Sequence, residues 1–384
     1  MVDIVAYSVP KYYKFLDNQA RLVDDLFKDY DATISPIYLQ VNTSMPLGYD
    51  PLAPKRFNYT VFLYYLKLVE VNEPQEKVSV VMEIMEYWHD PRLAWNSSNY
   101  GGMDAIVTRQ ERVWSPTFSV FGVNDIIDYR DSDFRLVCID KNGKIYDYVP
   151  LRISTNCGLD VDMFPFDTQT CRVEFCMPLF NTKEIELFNE VYSGIVQKDM
   201  YKTMGNSEWT ILNLTNRVAT LSYNDNFGTL QLATFEITMR RNPMYYMYMI
   251  VFPSYVINFL SIIGVFISGA DKMSRLNVGL TNIMTMTFIL GVMADKIPKS
   301  GTIPLLGIYI IVNLSIMIVA ITAAILLERL RNWMIPKLKT KPSRIRQKLE
   351  FFVGNSLEYT VATLLIIATS ANFFMMIGLW ISES

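Results

Sequence analysis

Two hydrophobic rhythms divide this chain of 384 residues. Up to about residue 240, apolar positions come in short runs broken by polar and turn-forming residues; after Tyr245 they come in long stretches. Near the start, Lys11 to Tyr30 places Phe15, Leu22 and Phe27 at helical spacing and predicts a short amphipathic helix. From Ile37 to Glu236 the pattern changes to strand-like runs, among them YTVFLYYLKLVEV, VSVVMEIMEYW, FRLVCID, KIYDYVPLRIS, CRVEFCM, ATLSY and LQLATFEITM. Turn signals such as Lys141-Asn142-Gly143 and Tyr223-Asn-Asp-Asn separate them. Many short strands at this spacing, with few helical stretches, predict an antiparallel β-sandwich.

Four apolar segments follow, at 244–268, 276–294, 303–327 and 359–381, and none contains a charge. Each is close to the ~20 residues a helix needs to cross a bilayer core. The connector 328–358 holds eight Lys or Arg between Arg329 and Lys348 and no acid in that interval, which places it in the cytoplasm. Four spans then put the N-terminal region outside. Arg240 and Arg241 lie outside on this topology, after a long domain where the charge rule loses force. The division expected is an extracellular sandwich at 1–242 and a four-helix transmembrane bundle at 243–384, with a short basic cytoplasmic linker.

The second segment differs from its neighbours. It runs uncharged from Leu276 to Ala294, yet carries Asn277, Thr281, Asn282, Thr285 and Thr287, groups that lipid would leave unpaired. On a 3.6-residue wheel Asn277, Thr281, Met284, Phe288, Gly291 or Val292, and Asp295 share one face. A spanning helix with one wet stripe and charged ends suits a pore lining. A buried helix in a transporter bundle is the other reading of this stretch alone.

Net charge is −3, with no long basic run before Arg329, which gives no basis for a nucleic-acid partner. The single histidine, His89, would have to carry every His-based metal site or Ser-His or Cys-His catalytic arrangement, so no enzyme, metal or cofactor reading is supported. The cysteines at 138, 157, 171 and 176 all precede the apolar segments, as do sequons at Asn42, Asn58, Asn96 and Asn213. Together they favour an oxidising, extracellular location and a glycoprotein. MVDIVAYSVPKYYKF lacks an apolar core segment, so a secretory signal is expected to have been removed ahead of it.

Between Cys157 and Cys171 stand thirteen residues that include Phe164-Pro165-Phe166-Asp167. This stretch resembles the signature loop of the Cys-loop receptors, the eukaryotic pentameric ligand-gated ion channels. The resemblance spans nearly the whole chain. Trp88-His-Asp-Pro-Arg-Leu-Ala-Trp95 is similar to the family's WxDxxLxW run. Arg112-Val-Trp114-Ser-Pro116 is similar to its WxPD segment, with Thr117 in place of the Asp. Glu208-Trp209, Thr238-Met239-Arg240-Arg241, Pro253 and Pro298 match the approach to the membrane and the end of the second span.

The resemblance implies a homo- or hetero-pentamer in which each second span lines the pore. It also implies a disulfide between Cys157 and Cys171; closing such a loop stiffens it by about 3 kcal/mol in the chain-entropy model. The loop, through Phe164, Pro165 and Phe166, would then press on the Lys296–Lys299 linker beside Pro298. Glu73 would pair with Arg241 and carry motion from ligand site to pore, or form an ordinary surface ion pair. Cys138 and Cys176 would bridge the two sheets or remain free thiols. The implied agonist site between subunits takes Phe121, Tyr223 and Phe227 from one subunit and Tyr146 and Tyr148 from its neighbour; each aromatic has sandwich packing as its alternative. Pro178 stands where many amine receptors have Trp, with Phe180 two residues on. Glu83 stands where acetylcholine receptors have a complementary-face Trp. The partners implied are a small-molecule agonist, inorganic ions and membrane lipid, at a plasma-membrane, postsynaptic location.

For selectivity, Arg275 matches the basic residue at the family's cytoplasmic pore mouth. Asp271-Lys-Met-Ser-Arg275 has the shorter spacing of the cation channels but lacks their Glu, and Gly279, Thr281 and Thr285-Met286-Thr287 look more like the anion branch. Rings of Asp295 favour cations. Met284 and Phe288 are the expected dewetting constriction, Asn277 a polar ring below it, and Val292 lies between that constriction and Asp295. A cation channel is the reading, with a chloride channel, or a subunit that does not conduct alone, as alternatives.

Overall fold

The computed structural model describes residues 9–37, 56–180, 182, 184–222, 229–266, 272–295, 302–338 and 356–383. Helix α1 (Val9–Phe27) comes first, and its Leu22 is fully buried in the core beneath it.

Two sheets follow. The larger contains β1 (Phe57–Asn72), β2 (Lys77–His89), β3 (Ala105–Arg109), β5 (Val123–Asp128), β6 (Leu136–Asp140), β7 (Lys144–Asn156) and β9 (Ile185–Val191). Its order is β3-β6-β7-β2-β1-β9, with β5 also paired to β7. The smaller runs β10-β11-β8-β4, from β4 (Ser119–Val120), β8 (Thr168–Cys176), β10 (Trp209–Ser222) and β11 (Thr229–Arg241). Among the described residues every pairing is antiparallel except β1 with β9, a departure from the expected pattern. A short helix α2 (Lys198–Met204) links β9 to β10.

Alternation drives the sandwich. Tyr59, Val61, Leu63 and Leu66 of β1, Val78, Val80, Met82 and Ile84 of β2, and Val173, Phe175, Phe235 and Ile237 of the second sheet fill one core. The predicted turn at Lys141-Asn142-Gly143 closes the β6–β7 hairpin, and Gly143 supplies its left-handed residue at φ 81°. The tryptophan motif is structural. Asp90, fully buried, receives Arg92 Nη2 at 2.7 Å and the Tyr30 hydroxyl at 2.9 Å, while Trp95 Nε1 donates to Met103 O at 2.8 Å.

Among the described residues four helices follow: α3 (Met244–Phe266), α4 (Lys272–Ala294), α5 (Leu305–Leu338) and α6 (Leu357–Glu383). All four are long and apolar enough to cross a membrane. Helix α3 changes to a wider π turn over Met247–Val251, just before Pro253, which has no N–H to give to the preceding turn. Helix α5 runs well past the expected end of the third span at 327. Glu328, Arg329, Leu330 and Arg331 favour helix, so the basic connector begins as helix rather than loop.

An asparagine layer ties the bundle together. Asn282 Nδ2 donates to Asn258 Oδ1 at 3.0 Å, and Asn372 Nδ2 to Asn313 Oδ1 at 3.1 Å. Asn258 Nδ2 reaches Asn313 O at 3.4 Å, so one residue from each helix joins the layer. Gly279 allows α4 and α5 to approach closely: a Cβ there would lie 2.4 Å from Ile321 Cδ1.

Candidate functional site

The junction between sandwich and bundle is built on the loop between β7 and β8. Cys157 and Cys171 are bonded, with Cα atoms 5.3 Å apart. Val161, Phe164 and Phe166 of the loop join one apolar cluster with Met247 and Val251 of α3, Met293 of α4, Leu306, Tyr309 and Ile310 of α5, and Met376 of α6. Phe164 and Pro165 are joined by a cis peptide. Leu305 N donates to Asp162 O at 2.9 Å and Leu306 N to Phe164 O at 3.1 Å, so the loop carbonyls cap the start of α5. The Thr302 hydroxyl also donates to Asp162. The expected contact with Lys296–Lys299, and Pro298 itself, lie outside the described residues.

Arg241, the last residue of β11, is 2% exposed. Its Nε donates to Asp167 Oδ1 at 2.8 Å, and its Nη1 reaches Glu73 Oε1 at 2.8 Å and Glu208 Oε1 at 2.6 Å. The guanidinium carbon lies 4.2 Å from the Trp209 ring centroid and 4.7 Å from that of Phe164. Burial opposes its charge, but the bonds to Asp167 and the field of Asp167 and Glu73 outweigh this and raise its pKa. Glu73 and Arg241 are thus in contact, and Asp167 and Glu208, which no local pattern assigns to the cation, share the same guanidinium.

On α4, Asn277, Thr281, Gly291, Val292 and Asp295 are exposed, and Met284 and Phe288 are each 72% exposed. Gly279, Asn282, Met286 and Met293 are buried against the bundle. The stripe read on the helical wheel is therefore the face that α3, α5 and α6 leave uncovered. Thr285 and Thr287 satisfy their hydroxyls by donating to Thr281 O at 2.9 Å and Ile283 O at 2.8 Å. The Asn282 amide nitrogen is paired, because it donates to Asn258 in the asparagine layer. Arg275 is half-buried near the N-terminal end of α4, where it lines a cavity with Glu328 and Arg329.

Glu83, Tyr146 and Tyr148 share the outer face of the larger sheet. Tyr148 donates its hydroxyl to Glu83 Oε2 at 2.6 Å. Burial first, then Glu83, push the Tyr148 phenol up to about 12. Tyr146 packs by Tyr87, with centroids 6.0 Å apart, and Lys144 Nζ lies 3.8 Å above the Tyr87 ring. Phe121 is exposed just after β4, at the edge of the other sheet, and its N–H donates to Glu174 O at 2.8 Å. Phe180 is half-buried and packs against the sandwich core; its N–H donates to Met177 O at 3.2 Å, and it lines a small cavity with Ile185 and Leu187. Tyr223 and Phe227 lie outside the described residues.

The second disulfide does not form. Cys138 and Cys176 are free. Cys138 alternates with buried Val137 and Ile139, so it is on the outer face of β6, while Cys176 is buried at the end of β8 beside Leu230 and Leu232. Of the sequons, Asn58, Asn96 and Asn213 are exposed and Asn42 lies outside the described residues.

Comparison with known proteins gives a consistent picture. The neurotransmitter-gated ion-channel ligand binding domain model matches residues 19–243, and the neurotransmitter-gated ion-channel transmembrane region model matches 250–359. Similar curated proteins include the 5-hydroxytryptamine receptor 3A of Cavia porcellus, 23% identical over 81% of this chain and 60% of its own length. The neuronal acetylcholine receptor subunit alpha-9 of Gallus gallus is 25% identical over 84% of this chain and 61% of its own length. The acetylcholine receptor subunit alpha-type des-2 of Caenorhabditis elegans is 25% identical over 88% of this chain and 61% of its own length. The chain thus spans about three fifths of the length of these relatives.

Proposed function

This chain belongs to the neurotransmitter-gated ion-channel family, the Cys-loop receptors, and from that premise we propose that it is one subunit of a pentameric, ligand-gated, cation-selective channel of the plasma membrane. The observation that carries this reading is the uncovered stripe of α4. A face holding Met284 and Phe288 at 72% exposure between polar Thr281 and acidic Asp295 is what five copies would turn toward a water column. Met284 and Phe288, one turn apart, form the constriction, and five Asp295 side chains gather cations at the outer mouth.

The sandwich at 1–242 binds the agonist and the bundle at 243–384 conducts. The agonist is a small cationic molecule held between subunits. The wall of Glu83, Tyr146 and Tyr148 supports this, since a carboxylate bonded to one phenol, with a second phenol two residues further along the same strand face, suits an ammonium group. The names of the relatives, which denote acetylcholine and 5-hydroxytryptamine receptors, point to the same chemical class. Binding there moves the β1–β2 turn and the disulfide loop, and Arg241 passes the displacement to α3 and α5.

The test is electrical. The full chain is expressed alone, small amines and pH steps are applied, and reversal potentials are read in swapped salts. A current that follows the cation gradient is expected. One that follows chloride overturns the selectivity, as the threonines at 281, 285 and 287 would favour. Intact surface pentamers that never conduct to any applied compound would make the chain a subunit needing a partner.

A further inference from the structure

The core-facing positions of β2 read Val78, Val80, Met82, Ile84, Glu86, Trp88. One carboxyl therefore stands in an apolar row, at 1% exposure. The core-facing row of β7 has the same irregularity: Ile145, Asp147, Val149, Leu151, with Asp147 fully buried. The antiparallel register sets Glu86 directly opposite Asp147. Directly opposed residues on one face have Cβ atoms about 5 Å apart, so the two carboxyls enter the same dry space.

The cations around them are unequally shared. Arg130 Nη1 lies 2.5 Å from Asp147 Oδ1, and Gln110 Nε2 donates to Asp147 Oδ2 at 2.8 Å. Asp128, at the end of β5, takes Arg130 Nη2 at 3.1 Å and Arg135 Nη2 at 3.4 Å. Glu86 Oε1 has no hydrogen-bond partner among the described residues, and neither has the fully buried Tyr59 hydroxyl of β1. The groups that act on Glu86 are Tyr59, Asp147, Arg130 and Asp128, with Arg135 behind Asp128. A buried carboxylate with one oxygen unpaired and only Tyr59 and the committed Arg130 to favour its charge, opposite a second carboxylate already paired, is a costly charge that a proton removes.

We propose that Glu86, backed by Asp147, is a proton-binding site inside the extracellular sandwich, separate from the agonist wall. The bound proton makes Glu86 a neutral acid; its loss places a second negative charge beside Asp147, where it competes for Arg130. Burial first, with added repulsion from Asp147 and Asp128 and opposed by Tyr59 and Arg130, pushes Glu86 up to about 8. The site is connected to the outer face, because Arg130 Nη1 also donates to Tyr148 O at 2.8 Å. Proton occupancy is thus sensed by the strand that carries Tyr146 and Tyr148, and the chemical class of this second ligand is H⁺ itself.

The test does not depend on conduction. Infrared difference spectra of the full chain in lipid discs are recorded between about pH 6 and about pH 9, with and without isotope-labelled glutamate. The expected result is a protonated-carboxyl band that fades near pH 8, shifts with the label, and is missing in Glu86→Gln. A wild-type spectrum without a label-sensitive band, or the same band persisting in Glu86→Gln, overturns the proposal. Should Glu86→Gln fail to fold, the labelled wild-type spectrum still decides: a label-sensitive band fading near pH 8 supports the site and its absence removes it.

Discussion

Arg241 Nε and Asp167 Oδ1 lie 2.8 Å apart with both side chains almost wholly out of water. This pair fastens the last residue of β11 to the disulfide-closed loop at the level where strands give way to membrane helices. Glu73 reaches the same guanidinium from the β1–β2 turn and is less buried.

The two acids should therefore respond differently. Arg241→Gln strands Asp167 in a buried site, at a cost of about 3–5 kcal/mol, and should sharply reduce assembled protein at the cell surface. Adding Asp167→Asn should restore part of it. Glu73→Gln leaves the Asp167 bond intact, so surface protein should be near normal while agonist potency falls several-fold. Surface labelling alongside dose-response recordings checks all three; equal losses for Glu73→Gln and Arg241→Gln would refute the distinction.

The exposed and buried faces of α4 give a second expectation. Cysteines placed at Thr281 and Met284 should react with water-soluble thiol reagents applied to open channels. Cysteines at Asn282 and Met286, both buried against the bundle, should not. Reaction rates from current block separate the faces, and equal rates would mean that another side of the helix meets water.

A third concerns charge at the outer mouth. Asp295 is exposed at the C-terminal end of α4. Asp295→Asn should lower single-channel cation conductance, and Asp295→Lys should lower it further, by reversing a five-fold ring of charge. Unchanged conductance in both would place the selectivity determinant elsewhere, with Arg275 the next to test.

The asparagine layer should have a measurable but modest worth. Asn282→Leu removes the donor to Asn258 Oδ1 and should cost about 1 kcal/mol, read as a drop of a few degrees in the melting temperature of detergent-solubilised protein. No change would indicate that the layer is satisfied in some other way.

On the outer face, Tyr148 has its phenol pushed up to about 12 by burial and by Glu83. An acid raised that far keeps its proton throughout the physiological range, so Tyr148 contributes a neutral donor and no charge change below that value. Tyr148→Phe should shift agonist potency by the same factor at about pH 6 and about pH 9. A factor that differs between them, and still differs in a Glu86→Gln background, would show that the phenol titrates in the working range.

Much of this molecule was legible in residue order because period carries it. Alternation marked the long strands β1, β2 and β7, uncharged length marked the four membrane helices, and a 3.6-residue wheel separated Thr281 and Met284 from Gly279 and Met286. Other elements left a weaker trace. Most of β10 is exposed because it is an edge strand, and polar residues interrupt its apolar alternation, so only its ATLSY end stood out. The continuation of α5 beyond Leu327 was hidden because hydrophobicity reports where lipid ends, whereas helix propensity decides where the helix ends.

Local pattern determined the classes of element, their order, and which face of each is apolar. Tertiary structure decided the partners. Glu83 meets Tyr148, Asn282 meets Asn258, Phe180 folds onto the core, and Cys138 points away from Cys176, because side-chain contacts depend on register and on which sheet face or helix lies opposite. Glu86 is the sharpest case. On its own it reads as an ordinary acid on a strand; only the register that sets it against Asp147, with Arg130 already committed, makes its charge costly.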